Sequence, residues 1–344
     1  MSTINDNINS IRNSLKDIRT VVNSKGAGIE EGDALNTWDE KIDNMPDVHV
    51  SGQNALNYSN LYYIRVVDKL TIPSHDENEA GYATTLSFRG EWQVLAKKII
   101  IPRYYTSVSM TSYTQQDYYR GAEEVRIETE GPVYNINTML ANAALEKIDI
   151  PESTSVSNAD FAGINATYQY GGFKKLTINM PKVTTLGLTS SSSTPTVARE
   201  VEYNANSVTT LSINSLSYTK PFYGCYGILN FPKVTTITNS VSNPIYGTVD
   251  ATHIQKWILP ALTSFTSSAS SYYPWYSPNG GKVELWIGSD LATFTMSNST
   301  VKSNFITAVT SGIIEFHIPS GDTTTKTTLN TFGIEDEYIH FDNA

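Results

Sequence analysis

The sequence predicts a mainly β repeat solenoid with a parallel sheet, preceded by a coiled-coil-like helical segment at the N-terminus. Three observations lead to this prediction. Short apolar strand patterns ending in proline recur from about residue 60 onward, and a regular row of apolar residues occupies positions 4–22. The chain of 344 residues is also 40% apolar but only 17% charged, which excludes a charged, disordered tail.

The N-terminal segment, residues 1–46, carries apolar residues at steps of 4, 3, 4, 3 and 4 between polar ones. They are Ile4, Ile8, Ile11, Leu15, Ile18 and Val22. A spacing of about 3.5 residues is that of a coiled-coil seam, and isoleucine at its d positions favours three or more strands. We therefore expect an oligomerisation and attachment helix that forms a homotrimer. The alternative is a single amphipathic helix packed on its own domain, since so short a segment barely separates the two periods.

Residues 47–320 contain the repeat itself, with about ten rungs. The first inward-facing apolar residues stand at positions 70, 99, 125, 148, 176, 201, 229, 257, 285 and 316, at steps of 23 to 31 residues. In each strand these residues alternate with Thr, Asn, Asp or Glu, which predicts one buried and one exposed sheet face. No rung can bury its apolar face alone, so stacking has to form the core.

A second motif follows several of the strands. It occurs as Val183-Thr-Thr-Leu186, Val208-Thr-Thr-Leu211, Val234-Thr-Thr-Ile237 and Leu262-Thr-Ser-Phe265. We interpret each rung as a strand, a proline-marked corner, a second apolar contact and a variable loop. Residues 321–344 depart from the pattern and end in an acidic stretch, which predicts a C-terminal cap.

The repeat resembles the irregular leucine-rich repeats of the BspA-like type. The pattern that carries the resemblance is the one in Lys175-Leu-Thr-Ile-Asn-Met-Pro-Lys-Val-Thr-Thr-Leu186. Phe222-Tyr-Gly-Cys-Tyr226 is similar to that family's Ala-Phe-x-x-Cys segment, although most of the family's Cys and Ala-Phe elements are missing here. The resemblance covers about residues 60–320 and implies a leucine-rich-repeat body.

The N-terminal segment resembles the opening of tail-associated and fibre proteins of tailed bacteriophages. The residues concerned are Ile11-Arg-Asn-Ser-Leu-Lys-Asp-Ile-Arg-Thr-Val-Val-Asn-Ser-Lys-Gly26 and Gly32-Asp-Ala-Leu-Asn-Thr-Trp-Asp-Glu-Lys-Ile42. This likeness implies a virion structural protein whose helical end joins other virion proteins and whose repeat body faces outward.

Catalytic chemistry is not favoured, and we expect no enzyme activity, cofactor or metal site. The five histidines are scattered without zinc-ligand spacing, and His317 is expected to be a structural partner of its neighbours. The single cysteine, Cys225, is expected to be a small packed residue. The paired carboxylates of a glycosidase are not evident, because contiguous acidic runs such as Glu123-Glu124 are usually solvated.

Tyrosine-rich loops are the better candidate for function, because a tyrosine ring offers a flat apolar face and a hydroxyl group. Loops of successive rungs should align along one edge, where aromatic rings could bind a host glycan or protein. The candidates are Tyr104, Tyr105, Tyr113, Tyr118, Tyr119, Tyr272, Tyr273, Trp275 and Tyr276, of which the last four are the best candidates for exposure. The alternative is that these rings form a minor core of the solenoid's own.

These observations together predict a bacteriophage tail- or fibre-type protein that contacts the host surface or other virion proteins. Net charge is −10, which argues against nucleic acid, and no apolar run is long enough for membrane insertion. The sequence as given begins without a signal-peptide pattern, so we expect assembly in the host cytoplasm and localisation in the virion. An exported BspA-like surface adhesin is the first alternative, and a polysaccharide-degrading tail spike is the second.

Overall fold

The computed structural model describes residues 13–20, 30, 33–34, 65–71, 85–87, 94–101, 103, 105, 107–109, 122–134, 136, 144–157, 174–188, 199–213, 222, 225–239, 251–277 and 280–342. In these residues the chain is mainly β, and its strands stack into long parallel sheets compatible with a solenoid-like repeat. No described helix is both long and apolar enough to cross a lipid bilayer.

The largest sheet, called here the long sheet, has eleven strands, all parallel. In spatial order they are β1 (Arg65–Thr71), β3 (Val94–Ile101), β5 (Glu124–Ile127), β7 (Lys147–Asp149), β9 (Leu176–Asn179), β11 (Arg199–Asn204), β13 (Cys225–Asn230), β15 (Ile254–Leu259), β17 (Lys282–Ile287), β19 (Ile314–Pro319) and β20 (Ile339–Asp342). Each rung contributes one strand, and the spatial order follows the chain.

A second, short strand follows each long-sheet strand from β1 to β17 and builds another side of the array. Five of these short strands form one parallel sheet: β2 (Thr85–Ser87), β4 (Ser107–Ser109), β6 (Val133–Tyr134), β8 (Ser155–Ser157) and β10 (Thr185–Gly187). Four form another: β12 (Thr210–Ile213), β14 (Thr236–Asn239), β16 (Ser264–Ser267) and β18 (Thr293–Met296). The second apolar contact of the sequence motif therefore belongs to a strand, as Leu211, Ile237 and Phe265 illustrate in direct register.

The inward positions of the repeat are confirmed wherever their side chains are described. Val125, Ile148, Leu229, Trp257 and Leu285 are all fully buried. Alternation is strict in strands such as β15 and β17, whose buried residues alternate with half-buried or exposed ones. The core is a column of apolar rings and branched side chains between the two sheet sides, formed by stacking.

Leu176 and Val201 face inward as predicted, but each lies two residues before the position that continues the column. The residue in register with Ile148 is Ile178 rather than Leu176, and the next is Tyr203 rather than Val201. All four of these β9 and β11 side chains are buried, because each of the two strands presents two apolar residues to the core. Apolar pattern alone cannot choose between such positions, whereas the hydrogen-bonded ladder does.

The C-terminal part combines two helices with the last strand. A helix at Ser299–Thr310 precedes β19, and a second at Thr323–Phe332 follows it. Asn298 and Asp322 cap their N-termini by accepting backbone N–H bonds, and Gly333 ends the second helix in the left-handed conformation. A short 3-10 turn at Asp336–Tyr338 then leads into β20, so the predicted cap region adds an eleventh strand to the long sheet.

Candidate functional site

A partly exposed aromatic cluster lies in the segment 271–277, and we call Tyr272, Tyr273 and Tyr276 the tyrosine platform. Tyr272 is 42% exposed, and its ring lies 4.8 Å from that of Tyr276 between centroids. Tyr273 meets Tyr276 edge to face at 5.3 Å and is half-buried. Burial, with a smaller contribution from Tyr276, raises the pKa of the Tyr273 phenol, so its hydroxyl stays neutral and able to donate at neutral pH.

The platform rests on the core. Tyr273 contacts the ring of Phe305 edge to face at 6.2 Å, and Phe305 is fully buried on the 299–310 helix. Trp275, between the platform tyrosines in sequence, packs at 5.0 Å from Phe265. The prediction that Trp275 is exposed is wrong: it is 1% exposed and has a φ of 60°, which turns its indole into the core. Trp275 thus anchors the platform from below.

The other predicted contact aromatics are divided between buried and undescribed positions. Tyr105 is only 5% exposed and belongs to the core, so it is not a contact residue, and here the alternative of a minor core applies. Tyr104, Tyr113, Tyr118 and Tyr119 lie outside the described residues. The alignment of tyrosine loops along one edge therefore stays a prediction for the N-terminal rungs.

Two of the six predicted seam residues are described. Residues 13–20 form a helix in which Ile18 is 49% exposed and Leu15 is half-buried. An exposed isoleucine on a helix with polar neighbours is what an oligomerisation seam presents before its partner is added. Ile4, Ile8, Ile11 and Val22 lie outside the described residues, and the trimer stays a prediction.

The side chains on the outward face of the long sheet differ in chemical type from the N-terminal to the C-terminal strands. Near its N-terminal end it carries a ladder of ion pairs, in which Glu124 of β5 lies between Lys98 of β3 at 2.9 Å and Lys147 of β7 at 3.9 Å. Glu124 was expected in a solvated loop, but it lies on a strand and is partnered on both sides. This part of the face satisfies its own charges.

The middle of the outward face is an amide ladder. Asn179 donates to the Asp149 carboxylate at 2.9 Å, Asn204 donates to Asn179 at 3.1 Å, and Asn230 donates to Asn204 at 3.1 Å. The residues are in direct register on β7, β9, β11 and β13. Side-chain ladders of this kind stabilise parallel stacking in the way that asparagine ladders do in cross-β assemblies.

The C-terminal part of the outward face carries exposed apolar and aromatic side chains among its charged ones. Ile228 and Ile254 are 38% and 43% exposed on β13 and β15. Lys256 of β15 holds its Nζ 3.4 Å from the centre of the Trp286 ring on β17, a close cation–π contact. The exposed surface of Ile228 and Ile254 makes this part of the face available for apolar contact.

A row of stacked rings crosses the last three strands. The Trp286 and His317 rings are stacked face to face with nearly parallel planes, 4.3 Å apart between centroids, and His317 stacks on His340 of β20 at 4.9 Å. His317 Nδ1 lies 2.7 Å from the Asp342 carboxylate. Because that carboxylate can only accept when ionised, Nδ1 carries the proton of this hydrogen bond. The expected structural role of His317 is consistent with these contacts.

Three potential metal ligands meet beside this row. One ligand atom each from Glu284, Glu315 and His317 lie within 4.8 Å of one another, and all three side chains are half-buried. Glu284 and Glu315 are directly opposite on β17 and β19, and His317 follows Glu315 by two residues on the same face. Spacing along the chain misses this group. The repeat could have revealed it: if residues 285 and 316 are equivalent inward positions, then 284 lies opposite 315 and 286 lies opposite 317.

Cys225 lies away from any surface. It is fully buried, and burial raises the pKa of its thiol, which keeps it protonated. The Gln255 amide donates to the Cys225 carbonyl at 3.1 Å and accepts from the Trp257 indole at 2.8 Å. The prediction of a small packed residue is confirmed, with a buried polar network added to it.

Comparison with protein-family models, with curated proteins and with solved structures found no match for this chain. The functional argument therefore depends on the residues and geometry described above.

Proposed function

We propose that this protein is a non-enzymatic structural component of a bacteriophage virion, of tail or fibre type. In this proposal the N-terminal segment joins copies of the chain and other virion proteins. The stacked body is an irregular leucine-rich-repeat array of the BspA-like kind, and it contacts a host-surface glycan or protein. The resemblances of residues 11–42 and of the repeat motif support the assignment.

The tyrosine platform is the observation that supports the binding role most directly. Tyr272, which is exposed, pairs with the half-buried Tyr276, and Tyr273 beside them packs on the buried Phe305. Preorganised aromatic faces lose little conformational freedom when they bind, and tyrosine is enriched at binding hot spots. A sugar ring or an apolar side chain of a host protein would stack on such a pair.

A binding experiment tests the role of the platform. The purified full chain is applied to immobilised bacterial surface polysaccharides and outer-surface proteins, and Tyr272→Ala is compared with the unaltered chain. We expect Tyr272→Ala to weaken binding at least about tenfold, because the exposed ring is the centre of the contact. Tyr134→Ala is the matched control, since Tyr134 is 39% exposed but lies on β6, remote in sequence from the platform.

Equal losses for Tyr272→Ala and Tyr134→Ala, or no loss for either, would contradict the platform as the contact surface. Antibodies against the purified chain should also label tails or fibres of intact phage particles, and labelling of a bacterial outer surface instead would favour the exported adhesin. Release of oligosaccharides by the purified chain would favour the tail spike and contradict the non-enzymatic assignment.

A further inference from the structure

The strongest candidate outside the tyrosine platform is the group formed by Glu284, Glu315 and His317. Two carboxylates directly opposite on adjacent strands repel each other, so this pairing needs a nearby cation. Lys282 provides part of it through an ion pair with Glu315 at 2.9 Å. Lys256, the residue in register with Glu284, is instead placed over the Trp286 ring.

Each of the three side chains is oriented by a partner that contacts one of its polar atoms, and its other polar atom remains to bind a metal ion. Trp286 donates its indole N–H to one oxygen of Glu284 at 2.9 Å. Lys282 holds Oε1 of Glu315. Asp342 holds Nδ1 of His317 at 2.7 Å, which directs the lone pair of Nε2 away from Asp342 and toward Glu315 Oε2, 4.0 Å distant.

The imidazole Nε2 is the observation that points to a ligand. It is buried and has no hydrogen-bond partner among the described residues, while buried polar atoms in folded proteins nearly always have one. A histidine whose Nδ1–H is held by a carboxylate and whose Nε2 is left bare has the arrangement of a metal-ligating histidine with its supporting carboxylate.

We propose that Glu284, Glu315 and His317 bind a divalent transition-metal ion of the Zn²⁺ type, with Asp342 as the positioning residue of His317. Carboxylate oxygens and an imidazole nitrogen are both ligand types that zinc takes, and a site with three protein ligands keeps a further position open. Ligand atoms around tetrahedral zinc stand about 3.4 Å apart, as follows from bond lengths of about 2.1 Å. The present separations of up to 4.8 Å close to that value by rotation of the two glutamate side chains.

The ion would join strands that are distant in sequence. Glu284 belongs to β17, Glu315 and His317 belong to β19, and Asp342 brings in β20, the terminal strand. A metal bound there would fasten the end of the long sheet, where fraying starts. The proposal is independent of host binding by the tyrosine platform, and each can fail without the other.

Calorimetry on the full chain tests the site. The protein is stripped with EDTA, and ZnCl₂ is titrated in, with MgCl₂ and CaCl₂ as separate titrations. We expect one Zn²⁺ per chain and no competition from Mg²⁺ or Ca²⁺, because an imidazole ligand favours the transition metal. Glu315→Gln and His317→Gln should abolish this binding, and Asp342→Asn should weaken it 10- to 100-fold, the usual effect of losing a supporting carboxylate.

The control is His253→Gln, since His253 stacks on Tyr226 away from the ligand group and should leave the affinity unchanged. Amide hydrogen exchange gives a second measurement: Zn²⁺ should slow exchange in 339–342 of the unaltered chain but not of Asp342→Asn. Zinc binding that persists undiminished in both Glu315→Gln and His317→Gln, or no stoichiometric binding at all, would overturn the proposal. Circular dichroism in EDTA verifies that each variant is folded.

Discussion

Gly288 lies just after β17, where the chain passes the proline corner of the preceding rung. A Cβ atom added there would stand 1.8 Å from the carbonyl oxygen of Pro260, so the position requires a residue without a side chain. The requirement is one of space. Gly280, by contrast, has a φ of 78° and open space around it, so its requirement is one of backbone conformation.

We predict that Gly288→Ala destabilises the protein by about 3 kcal/mol or more, because the backbone of two rungs has to move apart. Gly280→Ala is the matched comparison and should cost only about 1 kcal/mol, the usual penalty for an alanine at positive φ. Urea unfolding followed by circular dichroism measures both. A Gly288→Ala midpoint equal to that of Gly280→Ala would show that the rungs are not packed this closely.

Arg199 shows that a single buried residue can join three rungs. Its guanidinium is fully buried at the start of β11 and donates to the carbonyl oxygens of Lys174 at 3.1 Å and of Leu145, one and two rungs earlier. Burial lowers its pKa to about 10, which still leaves it charged at neutral pH. Long-range backbone partners compensate the loss of water around the charge.

At the scale of the elements, the outward ladder explains how a parallel sheet remains open to solvent on one face. Parallel sheets are usually covered on both faces. Here the middle strands β9, β11 and β13 carry the asparagine ladder described above. Its middle residue, Asn204, uses its side-chain amide on both sides, donating to Asn179 and accepting from Asn230. The ladder substitutes for a covering layer.

We predict that Asn204→Ala lowers the free energy of unfolding by about 2 kcal/mol, because Asn204 both donates to Asn179 and accepts from Asn230. Asn230→Ala, at the end of the ladder, removes one of these bonds and should cost about 1 kcal/mol. Urea midpoints compare the two variants. Equal losses of unfolding free energy for the two variants would contradict a stabilising contribution from each side-chain hydrogen bond of the ladder.

The elements also show what sequence patterns can and cannot predict. The inward column was predictable at Val125, Leu229 and Trp257, because buried apolar residues alternate with more exposed ones along their strands. The short second strands were recognised only as apolar contacts, because three or four residues give too little alternation to identify a strand. The Glu284, Glu315 and His317 group was missed because register between strands, and not spacing along the chain, creates it.

At the scale of the whole molecule, the described array exposes large apolar side chains mainly in its C-terminal half. The ion pairs and amides of the earlier rungs are partnered within the sheet, while Ile228, Ile254 and Phe341 expose 38%, 43% and 45% of their surface. The helix at 13–20 presents Ile18 to solvent as well. Contact with other molecules is therefore expected at these places and at the tyrosine platform.

We predict that the full chain is a trimer in solution and that Ile18→Asp converts it to monomers, because a charge at a seam position is buried without a partner. Asn13→Asp is the control, since position 13 lies opposite the seam and should leave the trimer intact. Light scattering measures the mass of each. A monomeric unaltered chain would contradict the coiled-coil interpretation of the N-terminal segment.

The two sides of the array differ in the continuity of their hydrogen-bonded sheets. The long sheet runs without interruption through β9 and β11, but on the other side β10 ends one sheet and β12 begins another. Bending that moves β10 and β12 apart breaks no hydrogen bond of a sheet, because these two strands belong to different sheets. Bending in the opposite direction would move β9 and β11 apart, and these strands are hydrogen-bonded in the long sheet. We therefore expect the body to bend between β10 and β12 more easily toward the uninterrupted long sheet than away from it.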